Sequence, residues 1–251
     1  MDRIIYTSMG GAERLLEQQA VITNNLANVD TDGFRGQVAV YRSVPVVGQN
    51  GLSTRVSTVT ATPTSDFRQG KMEQTGRALD VAITGPGWLA VQAPDGTEAY
   101  TRDGKLQVNS QGQLVTPRGL PLLSTGGAPV QVPRRGTLHI AADGRINVVG
   151  AGDKPTDLQV PTRIKLVNPP ASNLLRGDDG LFRLAGSEPQ TAPPDPDVKL
   201  VQGYVEKSNV SPVEAMVSLI DNARRYEMHM KSIQDTGTNE DKSNSILAVG
   251  G

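Results

Sequence analysis

The stretch SPVEAMVSLIDNARRYEMHMKSIQDTG, Ser211 to Gly237, reads as a helix from its first residue. Ser211 is a good N-cap, Pro212 suits the first helical position, and Glu214 completes a capping box with Ser211. Apolar residues then recur as Met216, Leu219, Ala223, Tyr226, Met230 and Ile233, an unbroken 3-4-3-4-3 spacing. Glu214 and Asp221 lie early and Arg224, Arg225 and Lys231 late, the order the helix dipole favours. Gly237 is the expected stop. The tail from Thr238 is polar until Ser245-Ile246-Leu247-Ala248-Val249.

A second helical pattern lies at the other end, from about Asp2 to Asn28. Met1, Ile5, Ala12, Leu15, Ile22, Leu26 and Val29 follow a 4-3 spacing, with polar Ser8 and Gln19 on the same stripe. Gly10-Gly11 interrupts it and weakens an isolated helix by about 1 kcal/mol per glycine relative to alanine. The turn sequence Asp30-Thr31-Asp32-Gly33 ends it.

Between the ends the chain alternates short β-type runs with turns. Runs fall at Leu79 to Thr84, Trp88 to Gln92, Glu98 to Arg102, Lys105 to Asn109 and Gln113 to Thr116. The turn glycines are Gly96, Gly104, Gly112 and Gly119, spaced as in a meander of hairpins. Further strands are expected at Thr137 to Ala141, Arg145 to Val149 and Ile164 to Val167. Glu188 to Asp197 holds four prolines and reads as a linker or edge loop. Residues 36–75 read as extended chain with at most one hairpin.

The fold class is therefore α+β: a β-rich centre flanked by N- and C-terminal coiled-coil-like helices. The divisions are 1–35, helix and turn; 36–75, connecting segment; 76–204, β-rich domain; and 205–251, helix and tail. The residues alone leave two readings of the stripes open. They close an intramolecular hairpin, or neighbouring subunits complete them. The first helix, with its paired glycines, is marginal alone.

Composition narrows the function. The 251 residues carry 25 basic and 26 acidic side chains, so no electrostatic argument favours nucleic acid. The basic clusters Arg134-Arg135 and Arg224-Arg225 are doublets. Without cysteine there is no disulfide, thiolate zinc site or cysteine nucleophile. No run is long and apolar enough for a membrane span. The N-terminus does not read as a cleavable secretory signal, so another export route is expected. The two histidines, His139 and His229, lack the spacing of a metal or triad motif. Asp178-Asp179 and Asp195/Asp197 read as solvated loop carboxylates. No catalytic residue, cofactor, metal or small-molecule substrate is expected.

Three motifs carry a resemblance. Asn24-Asn25-Leu26-Ala27-Asn28-Val29-Asp30-Thr31-Asp32-Gly33-Phe34-Arg35 resembles the signature of bacterial flagellar axial proteins, the rod, hook and hook-associated subunits. Val205-Glu206-Lys207-Ser208-Asn209-Val210-Ser211, continuing through Met216, Ile220, Arg224, Tyr226, Glu227 and Lys231, resembles their second signature. A central match runs through Gln69-Gly70, Thr75-Gly76, Leu79 to Gly85, Gly87-Trp88 and Tyr100-Thr101-Arg102-Asp103-Gly104. Gly87-Trp88-Leu89 departs from the common Gly-Phe-Phe but keeps the bulk. Met1 to Thr7 and the chain length are similar to F-type proximal rod proteins, with the distal G type as alternative. A self-contained glycan- or protein-binding β domain is the reading from another class.

The resemblance implies a structural subunit that is not an enzyme. It implies export through the flagellar type III apparatus and polymerisation with copies of itself and other rod proteins. The rod would cross the periplasm and transmit torque. The terminal helices would form an inner layer and the β domain an outer one. The expected assembly residues are Ile5, Ala12, Leu15, Ile22, Asn24, Asn25, Leu26, Asn28, Gly33 and Phe34, then Asn209, Met216, Leu219, Ile220, Ala223, Arg224, Tyr226, Met230 and Ile233. The asparagines offer amide donors and acceptors where helix carbonyls lack partners. Gly33 allows a positive φ or a close backbone approach, and Phe34 offers an apolar anchor.

Overall fold

The computed structural model describes residues 2–45, 56–60, 64–133, 137–149, 162–186 and 189–249. Met1, most of the Gly/Ser/Thr-rich stretch after Pro45, the Arg134-Arg135 doublet and Glu188 lie outside them. The fold is α+β, with one helix at each end and a β-rich centre. The chain forms two compact units. One comprises residues 1–27, 37–65 and 210–251, and the other 28–36 and 66–209.

In the first unit, helix α1 spans Asp2–Ala27 and helix α2 spans Pro212–Val249. The α2 start follows its capping residues: the Glu214 amide donates to Ser211 Oγ at 3.4 Å and the Ala215 amide to the Ser211 carbonyl at 3.0 Å. Strand Tyr41–Pro45 pairs antiparallel with Val56–Thr60, and outside that pair Gln37–Val38 meets Thr64–Ser65. Where the sequence reading allows at most one hairpin, the described residues of the connecting segment form one such pair and a short outer pair.

Gly237 does not end α2. The helix continues to Val249, and Gly237 is absent from the positive-φ glycines. A mid-helix glycine costs about 1 kcal/mol, too little to stop a helix unless the chain leaves in the left-handed conformation. The polar tail also satisfies itself locally. Thr236 Oγ1 donates to the Ser232 carbonyl at 2.7 Å, Thr238 Oγ1 to Asp235 at 2.9 Å, and Ser245 Oγ to Lys242 at 2.8 Å.

In the second unit a five-stranded antiparallel sheet runs in the order Leu166–Val167, Trp88–Gln92, Glu98–Thr101, Phe182–Leu184, Leu174–Arg176. Trp88–Gln92 is buried on both faces, and its alternation divides the core. Leu89 and Val91 join an aliphatic cluster with Ile83, Leu106, Leu114 and Ile164. Trp88 and Ala90 join an aromatic cluster with Tyr100 and Phe182. Four of the nine aromatic residues, Phe67, Trp88, Tyr100 and Phe182, gather there, with Trp88 and Phe182 centroids 4.6 Å apart. The proline-rich loop packs on the same cluster: the Ala192 amide donates to Tyr100 Oη at 2.7 Å, and Ala192 is buried.

Gly104 is not a turn glycine of the meander. A Cβ there would lie 1.7 Å from the Val81 carbonyl oxygen, so glycine is required by close backbone approach. The ends of the chain's centre are held by two further pairs: Val81–Thr84 with Lys199–Gln202, and Met72–Gln74 with Tyr204–Glu206.

Candidate assembly interface

Within the first unit α1 and α2 pack against each other. Gly11 faces His229 and the Leu15 carbonyl faces Asn222, so the helices run antiparallel. On α1 the buried face is Ser8, Ala12, Leu15 and Ile22, with Ile5, Gln19 and Leu26 half-buried. This is the stripe expected from the 4-3 spacing, polar members included.

On α2 the buried seam differs from the expected stripe. Ala215 and Asn222 are buried, and Leu219, Tyr226, His229, Ile233 and Thr236 are half-buried. Met216, Ala223 and Met230 are exposed instead. The reason lies on α1, which presents Gly11 and Ala12 where large side chains would be expected. A Cβ on Gly11 would lie 2.6 Å from His229 Cε1, so the imidazole fills the glycine's space. Asn222 Nδ2 donates to the Leu15 carbonyl at 2.8 Å. One buried amide of this kind fixes the register of a helix pair. Hydrophobic periodicity passes over Asn222 and His229 because both are polar.

The opposite faces remain apolar. On α1 the stripe Tyr6, Met9, Glu13, Leu16, Ala20 is exposed; on α2 it is Val213, Val217, Ile220, Arg224, Met228. Val213 is 70 % exposed, Val217 54 % and Ile220 52 %. Contiguous exposed apolar surface of this kind marks a binding face.

The remaining motif residues build a junction inside the second unit. Each signature supplies one member of a buried ion cluster. Glu206 Oε1 accepts from Arg35 Nη1 at 2.5 Å and from the Gly70 amide at 2.9 Å, and Oε2 accepts from Arg102 Nη1 at 2.8 Å. The three side chains are almost wholly buried. Both guanidiniums lie over Trp88, at 5.9 and 5.5 Å from the ring centroid. That contact matters, because Arg35 Nε and Nη2 and Arg102 Nε have no hydrogen-bond partner among the described residues. Burial pushes the Arg102 guanidinium below its ordinary value, against the raising effect of Glu206.

The turn after α1 closes on the same cluster. The Gly33 amide donates to the Glu206 carbonyl at 2.7 Å, and Arg176 stacks on Phe34 at 4.4 Å while donating to the Arg35 carbonyl at 2.7 Å. Asn209 is a hub: its Oδ1 accepts from the Gly36 amide at 2.7 Å and its Nδ2 donates to the carbonyls of Asp66 and Arg68. Among the other asparagines, Asn25 bonds the backbone of Gln37 in both directions, at 2.7 and 2.8 Å, within the first unit. Asn28 Oδ1 accepts from Thr31 Oγ1 at 3.2 Å, and Asn24 is exposed. Gly33 and Phe34 are buried in the second unit. Arg35, Arg102 and Glu206 stand in the quoted motifs, but no periodicity marks them as one site. The available signal was a glutamate following Tyr204-Val205 in a β-type run.

Next to the cluster, burial pushes the Asp103 carboxyl up to about 6, and the nearby Asp32 charge acts the same way. The folded state therefore favours the neutral form. Below the unfolded value both states are protonated. As pH rises from about 4 through about 6 the unfolded chain ionises more readily, and stability falls. Asp103→Asn should remove this loss. At pH near 7.5 it is expected to stabilise the protein by about 1–2 kcal/mol, shrinking to nothing near pH 4. Melting temperatures of both forms at the two pH values check it; destabilisation at pH 7.5 would contradict it.

Comparison of the sequence with known proteins points to a family. The family model for flagella basal body rod proteins matches residues 5–35. That for the FlgE/F/G hook protein D1 domain matches 82–148, and that for the FlgEFG rod protein C-terminal region matches 201–246. The chain is 45 % identical to the flagellar basal-body rod protein FlgF of Salmonella typhimurium, over 99 % of this chain and 100 % of that one. It is 44 % identical to the Escherichia coli FlgF over the same shares. To the FlgG rod protein of Buchnera aphidicola (Acyrthosiphon pisum) it is 35 % identical, over 91 % and 94 %.

Proposed function

The chain belongs to the flagellar basal-body rod protein family, F type, as a structural subunit of the rod, and we propose that α1 and α2 build the proximal rod by packing coiled-coil fashion on neighbouring subunits. In this reading residues 1–35 and 205–251 form the inner layer of a periplasm-crossing shaft that transmits torque. The chain reaches it unfolded through the flagellar type III apparatus. Its partners are copies of itself and other rod proteins.

One observation carries the reading: each helix has two apolar faces, and only one is buried within the chain. A hairpin built only to close a domain would put charge on its outer faces. Tyr6 at 73 % exposed, Met9 at 62 % and Leu16 at 51 % do the opposite. Methionines on such a face suit non-identical neighbours, because the side chain adapts its shape.

The test separates assembly from folding. Val217→Asp with Ile220→Asp lies on the outward face of α2. The purified variant should keep its helix content and melting temperature within about 0.5 kcal/mol of stability, yet fail to enter basal bodies and leave cells non-motile. Normal motility would sink the proposal.

A further inference from the structure

We propose that the outward face of α1 on one copy packs antiparallel on the outward face of α2 of the next copy of this same chain. The inference rests on the rod reading above and names the partner of those faces.

The two faces match in length and charge. Tyr6 to Ala20 and Val213 to Met228 each span about 21–23 Å at 1.5 Å per residue. The only charged residue on the α1 stripe is Glu13, and the charge on the α2 stripe is Arg224; both are exposed. Arg224 forms no ion pair among the described residues. In an antiparallel pairing, setting Glu13 against Arg224 also sets Leu16 against Ile220 and Ala20 against Val217. Met9 then meets Met228, and Tyr6 at the end of the stripe meets Lys231.

The helices inside the chain are antiparallel in a nearby register, where Leu15 meets Asn222 and Gly11 meets His229. Antiparallel positions sum to 237 and 240 in these intramolecular contacts. They sum to 236 or 237 in the proposed one (13 and 224, 16 and 220, 20 and 217). Each hairpin would repeat its own geometry on the next, giving a row of alternating α1 and α2 helices. Pairing α2 on α2 would instead bring Arg224 and Lys231 near their own copies, which like-charge repulsion disfavours. It would also be isologous and would close as a dimer, whereas α1 on α2 is heterologous and open-ended.

Cysteine pairing tests this directly, since the chain has no cysteine of its own. Leu16→Cys with Ile220→Cys in one chain places the two thiols on opposite outer sides of the hairpin, beyond the Cα separation of about 7 Å that a disulfide allows. Oxidation of purified basal bodies should give dimers and higher multiples of this chain on non-reducing electrophoresis. Assembled, motile rods without such multiples would overturn the pairing while leaving the rod reading intact. Charge reversal is the second measurement, independent of the cysteines. Glu13→Lys or Arg224→Glu alone should cut motility, and the double reversal should restore it. Full motility in both single variants, or no recovery in the double, would likewise overturn it. Failure of the rod reading has a different signature, motility retained by the Val217→Asp, Ile220→Asp variant.

Discussion

Glu206→Gln should destabilise the β-rich unit by about 3–5 kcal/mol, the usual result of removing one partner from a buried ion pair. The substitution keeps an oxygen and the side-chain volume, so the effect isolates charge. It leaves Arg35 and Arg102 buried, 1 % and 5 % exposed, with no anion between them. The backbone acceptors of Arg102, such as the Gly85 carbonyl at 2.6 Å from its Nη2, satisfy protons without neutralising charge. Against a typical total of about 5–15 kcal/mol the loss is large. The readout is built in, because the chain has one tryptophan and both guanidiniums lie over it. Urea unfolding followed by Trp88 fluorescence gives the midpoint. A loss below about 1 kcal/mol would mean that the cluster is hydrated and its charges weakly coupled.

A double-mutant cycle sharpens the result. Arg35→Met removes one cation and should itself be costly, because Glu206 then shares one guanidinium. In that background Glu206→Gln leaves one stranded charge instead of two. The second substitution should therefore cost less than it does alone, with a coupling of about 1–3 kcal/mol.

Both helices and the α1 stripe were legible from periodicity, since Ala12, Leu15, Gln19 and Ile22 recur every three or four residues, and Ala12, Leu15 and Ile22 are buried. The α2 seam was legible by half. Leu219, Tyr226 and Ile233 carry it, but Ala215, Asn222 and His229 stand in place of Met216, Ala223 and Met230. The placement of Asn222 and His229 depends on Gly11 and the Leu15 carbonyl, more than two hundred residues away in sequence. The strand pattern was readable where turns are local: Trp88–Gln92 and Arg145–Val149 have the bounds expected of them. It failed at Gly104, whose contact with Val81 is tertiary. The ion cluster was invisible for the same reason: no local rule joins Arg35, Arg102 and Glu206.

Gly33→Ala should be the most damaging single-methyl addition in the N-terminal motif. Gly33 has φ +70°, a region where an L side chain costs about 1–2 kcal/mol. Space is a second and larger problem. The new Cβ would lie 2.3 Å from the Arg102 carbonyl carbon and 2.4 Å from the Asp103 nitrogen, both backbone atoms that cannot rotate away. Relieving the overlap would pull the turn off the bond from the Gly33 amide to the Glu206 carbonyl. A total loss of about 3 kcal/mol or more is expected, with the lower midpoint reported by Trp88. Gly10→Ala is the matched control. Gly10 lies within α1, and no heavy atom stands within 4 Å of the added carbon. There the methyl should stabilise by about 1 kcal/mol. The two substitutions should move thermal unfolding in opposite directions. If Gly33→Ala lowered stability by less than about 1 kcal/mol, the turn would have room to open, and the close approach of residues 33 and 102 would not be what holds the junction together.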